Sequence, residues 1–172
     1  KMNKLISVLS IVFFYIGSVS GEIKIKSLSE GNVDAKVILV VFESLTCSHC
    51  GDFHRDIYPK LKTDFIDKNL ISIEYRNFPL DIAAFNAAKI AQCSNDQSLE
   101  ILESLYLNQQ EWVKGSTIED INNNLKKYLK NAGFEIDFDK CINNKKIEDF
   151  VLNDRIEGSK NFKVNATPTI II

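Results

Sequence analysis

Much that would mark a specialised class is scarce or missing in this 172-residue chain. Three prolines and seven glycines are too few for a collagen-like or low-complexity chain, and the hydrophobic share of 45% with 26% charged residues is that of a globular protein with a real core. Neither sign of charge dominates: 21 Lys and Arg against 23 Asp and Glu leave a formal net charge of -2, so the basic surface needed for nucleic acid is absent and no acidic tail is present. There are only two histidines and no second CxxC, which deprives a four-ligand zinc site of donors. No internal repeat or low-complexity linker divides the chain, so one globular domain is expected.

What is there begins with a targeting pattern. Two lysines precede an apolar run, Leu5 to Ile16, and the small residues Gly17, Ser18, Ser20 and Gly21 follow it. That order reads as a signal peptide over residues 1–21, cleaved near Ser20 or Gly21, because the run is shorter than the ~20 residues that span a bilayer. An uncleaved segment acting as a tether is the alternative. Export places the four cysteines where disulfides persist.

Along the chain, Glu22 to Lys26 alternates like an edge strand and the polar stretch after it reads as a loop. Val37 to Glu43, "VILVVFE", is a continuous β-branched and aromatic run of the kind buried on both faces of a sheet. It leads into "SLTCSHCGDFH", Ser44 to His54, after which Phe53, Ile57, Leu61 and Phe65 recur at a helical spacing that predicts a core-facing stripe, kinked at Pro59. Leu70 to Leu80 returns to strand-like alternation, which makes a parallel βαβ unit. Between Ile82 and Phe162 every segment has helical spacing; Ser116 or Thr117 with Glu119 or Asp120 behind it resembles a helix start and Gly133 a helix end. The closing residues Thr169 to Ile172 read as a strand left as an apolar edge, and the expectation is a chain lacking its C-terminal end.

A CxxC that follows a buried strand and opens a helix has a direct chemical use. The free N–H groups and dipole at a helix N-terminus stabilise a thiolate, so Cys47 is the expected attacking sulfur and Cys50 the resolving one. His49, between them, can add a positive charge or a hydrogen bond to that thiolate and so favour the reduced form, which makes the disulfide more oxidising. Haem attachment requires histidine directly after the second cysteine, where this chain has Gly51. A metal site, copper included, could use Cys47, Cys50 and His54 but lacks a fourth ligand. His54 is otherwise expected as a partly exposed helix histidine.

The strand, "CSHC" with "GDFH" after it, "YRNFPLD", the helical block and the late "ATPT" together resemble the DsbA family of thioredoxin-fold disulfide oxidoreductases over roughly Glu22 to Ile172. The resemblance implies an α/β thioredoxin-like sheet with an inserted all-helical subdomain. Residues 22–80 form its first part, 81–162 the insertion and 163–172 the return. It further implies a cis Pro168 facing the CxxC, with Ser48, Thr167 and Pro168 touching substrate and Thr167 tuning reactivity. The family often places an acid beneath the motif as a proton relay, and Glu43 is the nearest match by position. Ser48 departs from the proline that the family's strongest oxidases carry, which bears on the redox potential.

The expected activity is therefore that of a periplasmic thiol-disulfide oxidoreductase that introduces disulfides into reduced secreted proteins. It would need no bound cofactor or metal and would be reoxidised by a DsbB-type membrane partner. A reductase or isomerase of the same fold is the alternative within the class. Cys93 and Cys141 both fall in the helical block; with export and an even count they are expected to form a structural disulfide, two free buried thiols being the other option.

Overall fold

The β-branched run and the alternating run that follows it lie side by side at the centre of one four-stranded sheet. The computed structural model describes residues 25–94 and 98–172; the signal-like segment, residues 1–21, lies outside the described residues. The strands are β1 (Leu28–Gly31), β2 (Val37–Glu43), β3 (Ile71–Asn77) and β4 (Thr169–Ile171), in the spatial order β1-β3-β2-β4. β2 and β3 run parallel, with Val37 opposite Ile71 and Glu43 opposite Asn77, so the crossover between them is the anticipated βαβ unit. β1 and β4 pair antiparallel at the two edges.

Of the run expected as an edge strand, Glu22 to Lys24 lie outside the described residues and Ile25 and Lys26 carry no regular structure, while β1 occupies Leu28–Gly31, inside the stretch read as a loop. Polar contacts across elements select that register: the Glu30 carboxylate accepts hydrogen bonds from the Tyr58 hydroxyl and the Lys62 ammonium. An apolar pattern carries no trace of such a choice.

The crossover begins as α1 (Ser48–Asp52) and continues through two wide turns of the π type, Phe53–Ile57 and Lys62–Ile66, on either side of α2 (Tyr58–Leu61). Pro59 has no N–H to give, and the wide turn just before it is how the helix accommodates that loss. A wide turn holds an extra residue, so four-residue spacing no longer tracks the inward face. Phe53, His54, Tyr58 and Ile66 point inward, whereas Ile57 and Phe65, expected in the core stripe, are 52% and 44% exposed.

The remaining helices are α3 (Ile82–Cys93), α4 (Ser98–Leu107), α5 (Gln109–Trp112), α6 (Ile118–Asn131), α7 (Phe138–Ile142) and α8 (Lys145–Asn161). α6 starts with a reciprocal cap, the Thr117 hydroxyl accepting from Asp120 N–H and the Asp120 carboxylate from Thr117 N–H, each at 3.1 Å. It stops just before Gly133, whose φ of +87° suits a residue without Cβ. One core joins a face of the sheet, through Val41 and Ile73, to Leu105, Trp112, Leu125 and Val151 of the helices. Each such side chain contributes about 1.5–3 kcal/mol on burial. On the opposite face, Phe42, Phe78 and Val164 form a smaller cluster, where α8 comes so close that a Cβ on Gly158 would lie 2.9 Å from the Phe42 ring.

Candidate active site

β2 delivers the chain to Cys47, which caps α1 with extended backbone angles of φ -78° and ψ 118°. Its carbonyl accepts from the N–H groups of Cys50 and Gly51 at 3.1 and 3.2 Å, which winds the first turn around the sulfur. Cys47 is half-buried and Cys50 wholly buried, and both are free thiols. Burial acts to raise the Cys47 thiol, but the Thr167 side chain, the backbone and thiol of Cys50 and the His49 backbone together outweigh it, and the group lies below its ordinary value. Cys50 is the opposite: burial drives its thiol far up, the charges of Glu43 and Cys47 add to that, and the Ser44 N–H offsets only a part. The motif thus holds one sulfur suited to attack and one suited to stay protonated.

The loop before β4 lies against Cys47. The peptide bond between Thr167 and Pro168 is cis, and the Cys47 thiol donates to the Thr167 carbonyl at 3.3 Å. The Thr167 hydroxyl is buried without a partner while Cys47 is a thiol, so its proton is available when Cys47 ionises. Below the motif, Ser44 and Thr46 tie the strand end to α3: the Ser44 hydroxyl accepts from Leu80 N–H at 3.2 Å, and Thr46 donates to Asp81, the α3 cap, at 2.7 Å.

The two histidines sit in opposite surroundings. The His49 ring is 80% exposed and stands 3.6 Å from Asp52, while the His49 backbone helps to lower the Cys47 thiol. His54, expected to be partly exposed, is 2% exposed. Its Nε2 meets both Glu43 carboxylate oxygens at 3.1 and 3.2 Å, and its ring is stacked on Tyr106 at 4.2 Å between centroids. Glu43, itself 4% exposed, supplies the polar partner that lets a histidine remain in the core. With Nε2 turned to Glu43, His54 does not join Cys47 and Cys50 as a ligand set, and among the described residues no group of three or more His, Cys, Asp or Glu could hold a metal ion.

Ser48 opens α1 directly after Cys47. Cys93 and Cys141 are joined by a disulfide that links the last residue of α3 to α7, with Cα atoms 5.6 Å apart. Three further residues at the site went unread in the sequence. Tyr106, whose phenol is held well up by burial and by the neighbouring Glu43, Cys50 and Cys47, covers His54. Asp81 carries a helix-cap signal that could have been noticed, one residue before "IAAF". Gln109, whose side-chain amide donates to the carbonyls of Leu45 and Cys47 at 2.8 and 2.9 Å, carries no local signal at all.

Comparison with known proteins agrees with this arrangement. A family model described as Thioredoxin matches residues 24–172. Disulfide bond formation protein D of Bacillus subtilis is 29% identical over 167 residues, covering 90% of this chain and 72% of that protein. A Rickettsia bellii protein provisionally named a protein-disulfide oxidoreductase is 28% identical over 149 residues, 83% of this chain but 55% of the relative. The chain spans about half the length of the Rickettsia relatives it matches. Among solved structures, Wolbachia pipientis alpha-DsbA1 superposes with a TM-score of 0.75 at 29% identity, over 83% of this chain and 72% of that one.

Proposed function

The chain belongs to the thioredoxin-fold family of DsbA-type thiol-disulfide oxidoreductases, and on that premise we propose that it is an exported enzyme introducing disulfide bonds into other exported proteins. The observation that carries the proposal is the asymmetry of the two sulfurs: a half-buried Cys47 below its ordinary pKa beside a buried Cys50 far above it.

In the oxidised enzyme a substrate thiolate attacks Cys47 Sγ. The Cys47–Cys50 bond breaks, and Cys50 leaves with the electron pair and takes up a proton, since burial disfavours its thiolate. The second substrate thiolate then attacks the substrate sulfur of the mixed disulfide. Cys47 departs as a thiolate held by the Thr167, Cys50 and His49 hydrogen bonds. Two electrons pass from substrate to enzyme, and stabilising the departing thiolate favours that direction. Glu43 with His54, buried together on the Cys50 side of the motif, is the proton-exchanging pair in this reading. Thr167 and cis-Pro168 supply the backbone against which substrate lies.

A quinone-linked membrane protein of the DsbB type is the proposed electron acceptor. Export rests on the pattern of residues 1–21, and the Cys93–Cys141 disulfide supports an oxidising compartment. No helix among the described residues is long and apolar enough to cross a membrane. Equilibrating the chain with glutathione buffers tests the direction of exchange: a potential near about -120 mV is expected, and one near about -270 mV overturns the oxidase in favour of a reductase.

A further inference from the structure

One residue of the helical block reaches into the strand-to-helix turn that carries the nucleophile. Gln109 opens α5, a single turn anchored by Trp112, whose indole N–H donates to the Leu105 carbonyl at 3.0 Å in the core. From that base both protons of the Gln109 amide are used: Nε2 donates to Leu45 O at 2.8 Å and to Cys47 O at 2.9 Å. Cys47 O is also the acceptor for the Cys50 and Gly51 N–H groups of α1, so Gln109 holds the same atom that the helix turns around. The other side of the amide lies against Gly51: a Cβ there would come 2.6 Å from Gln109 Oε1. The gap exists because residue 51 has no side chain.

We propose that Gln109 is a positioning residue for the Cys47 nucleophile, with Gly51 providing the space in which its amide clamps the Leu45 and Cys47 carbonyls. The argument is geometric. The Cys47 carbonyl and sulfur belong to one residue, and the His49 and Cys50 N–H groups can point at the sulfur only while the carbonyl stays fixed at the helix mouth. Releasing the carbonyl lets the Ser44–Cys47 turn relax and misaligns those donors. The site's reactivity thereby depends on the seating of the helical block, 62 residues away in sequence from Cys47.

The assignment rests on Cys47 being the nucleophile of the proposed exchange. It is tested by following the Cys47 thiolate by its ultraviolet absorbance across pH in the reduced protein, with thermal melts alongside. Gln109→Leu removes the donors; Gln109→Glu keeps the size but not the donating amide; Gly51→Ala leaves Gln109 intact and pushes its amide aside. Each single variant is expected to lower the acid dissociation constant of the Cys47 thiol about fivefold, the scale of one weakened hydrogen bond to a charged group. Gly51→Ala/Gln109→Leu is expected to lower it no further than either change alone, because both act on one contact. Thiolate titrations like the parent's in all three single variants, with only the melting temperature moved, overturn the role of Gln109 alone. A parent Cys47 that titrates as an ordinary thiol overturns the nucleophile reading with it.

Discussion

Replacing both Cys93 and Cys141 by alanine gives a sharp test of how the helical block is held. The disulfide closes a loop with a sequence separation of 48, running from the end of α3 through α4, α5 and α6 to α7. In the chain-entropy treatment a loop of that length stabilises the fold by about 4 kcal/mol, and deleting two sulfurs, one of them on a residue 3% exposed, adds up to ~1 kcal/mol of lost packing. At about 2–4 °C per kcal/mol for a chain of this size, the midpoint of unfolding falls by roughly 8–20 °C. Differential scanning calorimetry of the oxidised parent and of Cys93→Ala/Cys141→Ala at one pH reads this directly. The Cys47 thiolate titration is expected to stay put, because Cys93 lies at the far end of α3 from Asp81 and Thr46, about 18 Å along the helix. A fall of under about 3 °C refutes the loop argument, and a displaced thiolate titration refutes the separation of the two sites.

Two other outcomes follow from the buried groups. In the reduced protein Cys47 is depressed, so its contribution to stability is present above the unfolded thiol value of about 8.5 and is lost as pH falls through the folded one. Cys50 is raised, so its contribution is present below about 8.5 and is lost as pH climbs above it. Urea midpoints of the reduced form are therefore expected to peak near about pH 8.5, and a reduced profile parallel to that of the oxidised form, which has no thiol to titrate, refutes the assignment. His54→Ala leaves the buried Glu43 without its partner and strips a ring from Tyr106, for an expected loss of about 3–5 kcal/mol in urea unfolding at neutral pH, whereas Glu43→Gln keeps a hydrogen-bonding group opposite Nε2 and costs less than about half of that. Equal losses under about 1 kcal/mol refute a tightly coupled pair.

What could be read from the chain was what short stretches decide for themselves. β2 is a run of β-branched residues, the CxxC stands at its end, and Ser116 or Thr117 with an acid behind it announces α6; each rests on neighbours a few residues apart. The parallel βαβ unit and the helical block after it followed from the order of such stretches, and the thioredoxin-like sheet from the family resemblance. His54 was misplaced because a histidine on a helix reads as solvent-facing unless its partner is known, and that partner sits on the preceding strand, 11 residues back. Ile57 and Phe65 were misplaced because regular periodicity cannot anticipate the wide turns around Pro59.

The same distinction runs through the site itself. The two motif sulfurs are three residues apart and visible at once, but some of the groups around them come from elsewhere in the chain. Thr167 reaches Cys47 across 120 residues, Gln109 across 62, and Glu43 lies buried beside His54 beneath them. A CxxC therefore states which atoms exchange electrons. How strongly it holds a thiolate depends on the closing loop and the helical block meeting the strand end in register, so substitutions at Thr167 or Gln109 should move the chemistry of Cys47 without touching the motif.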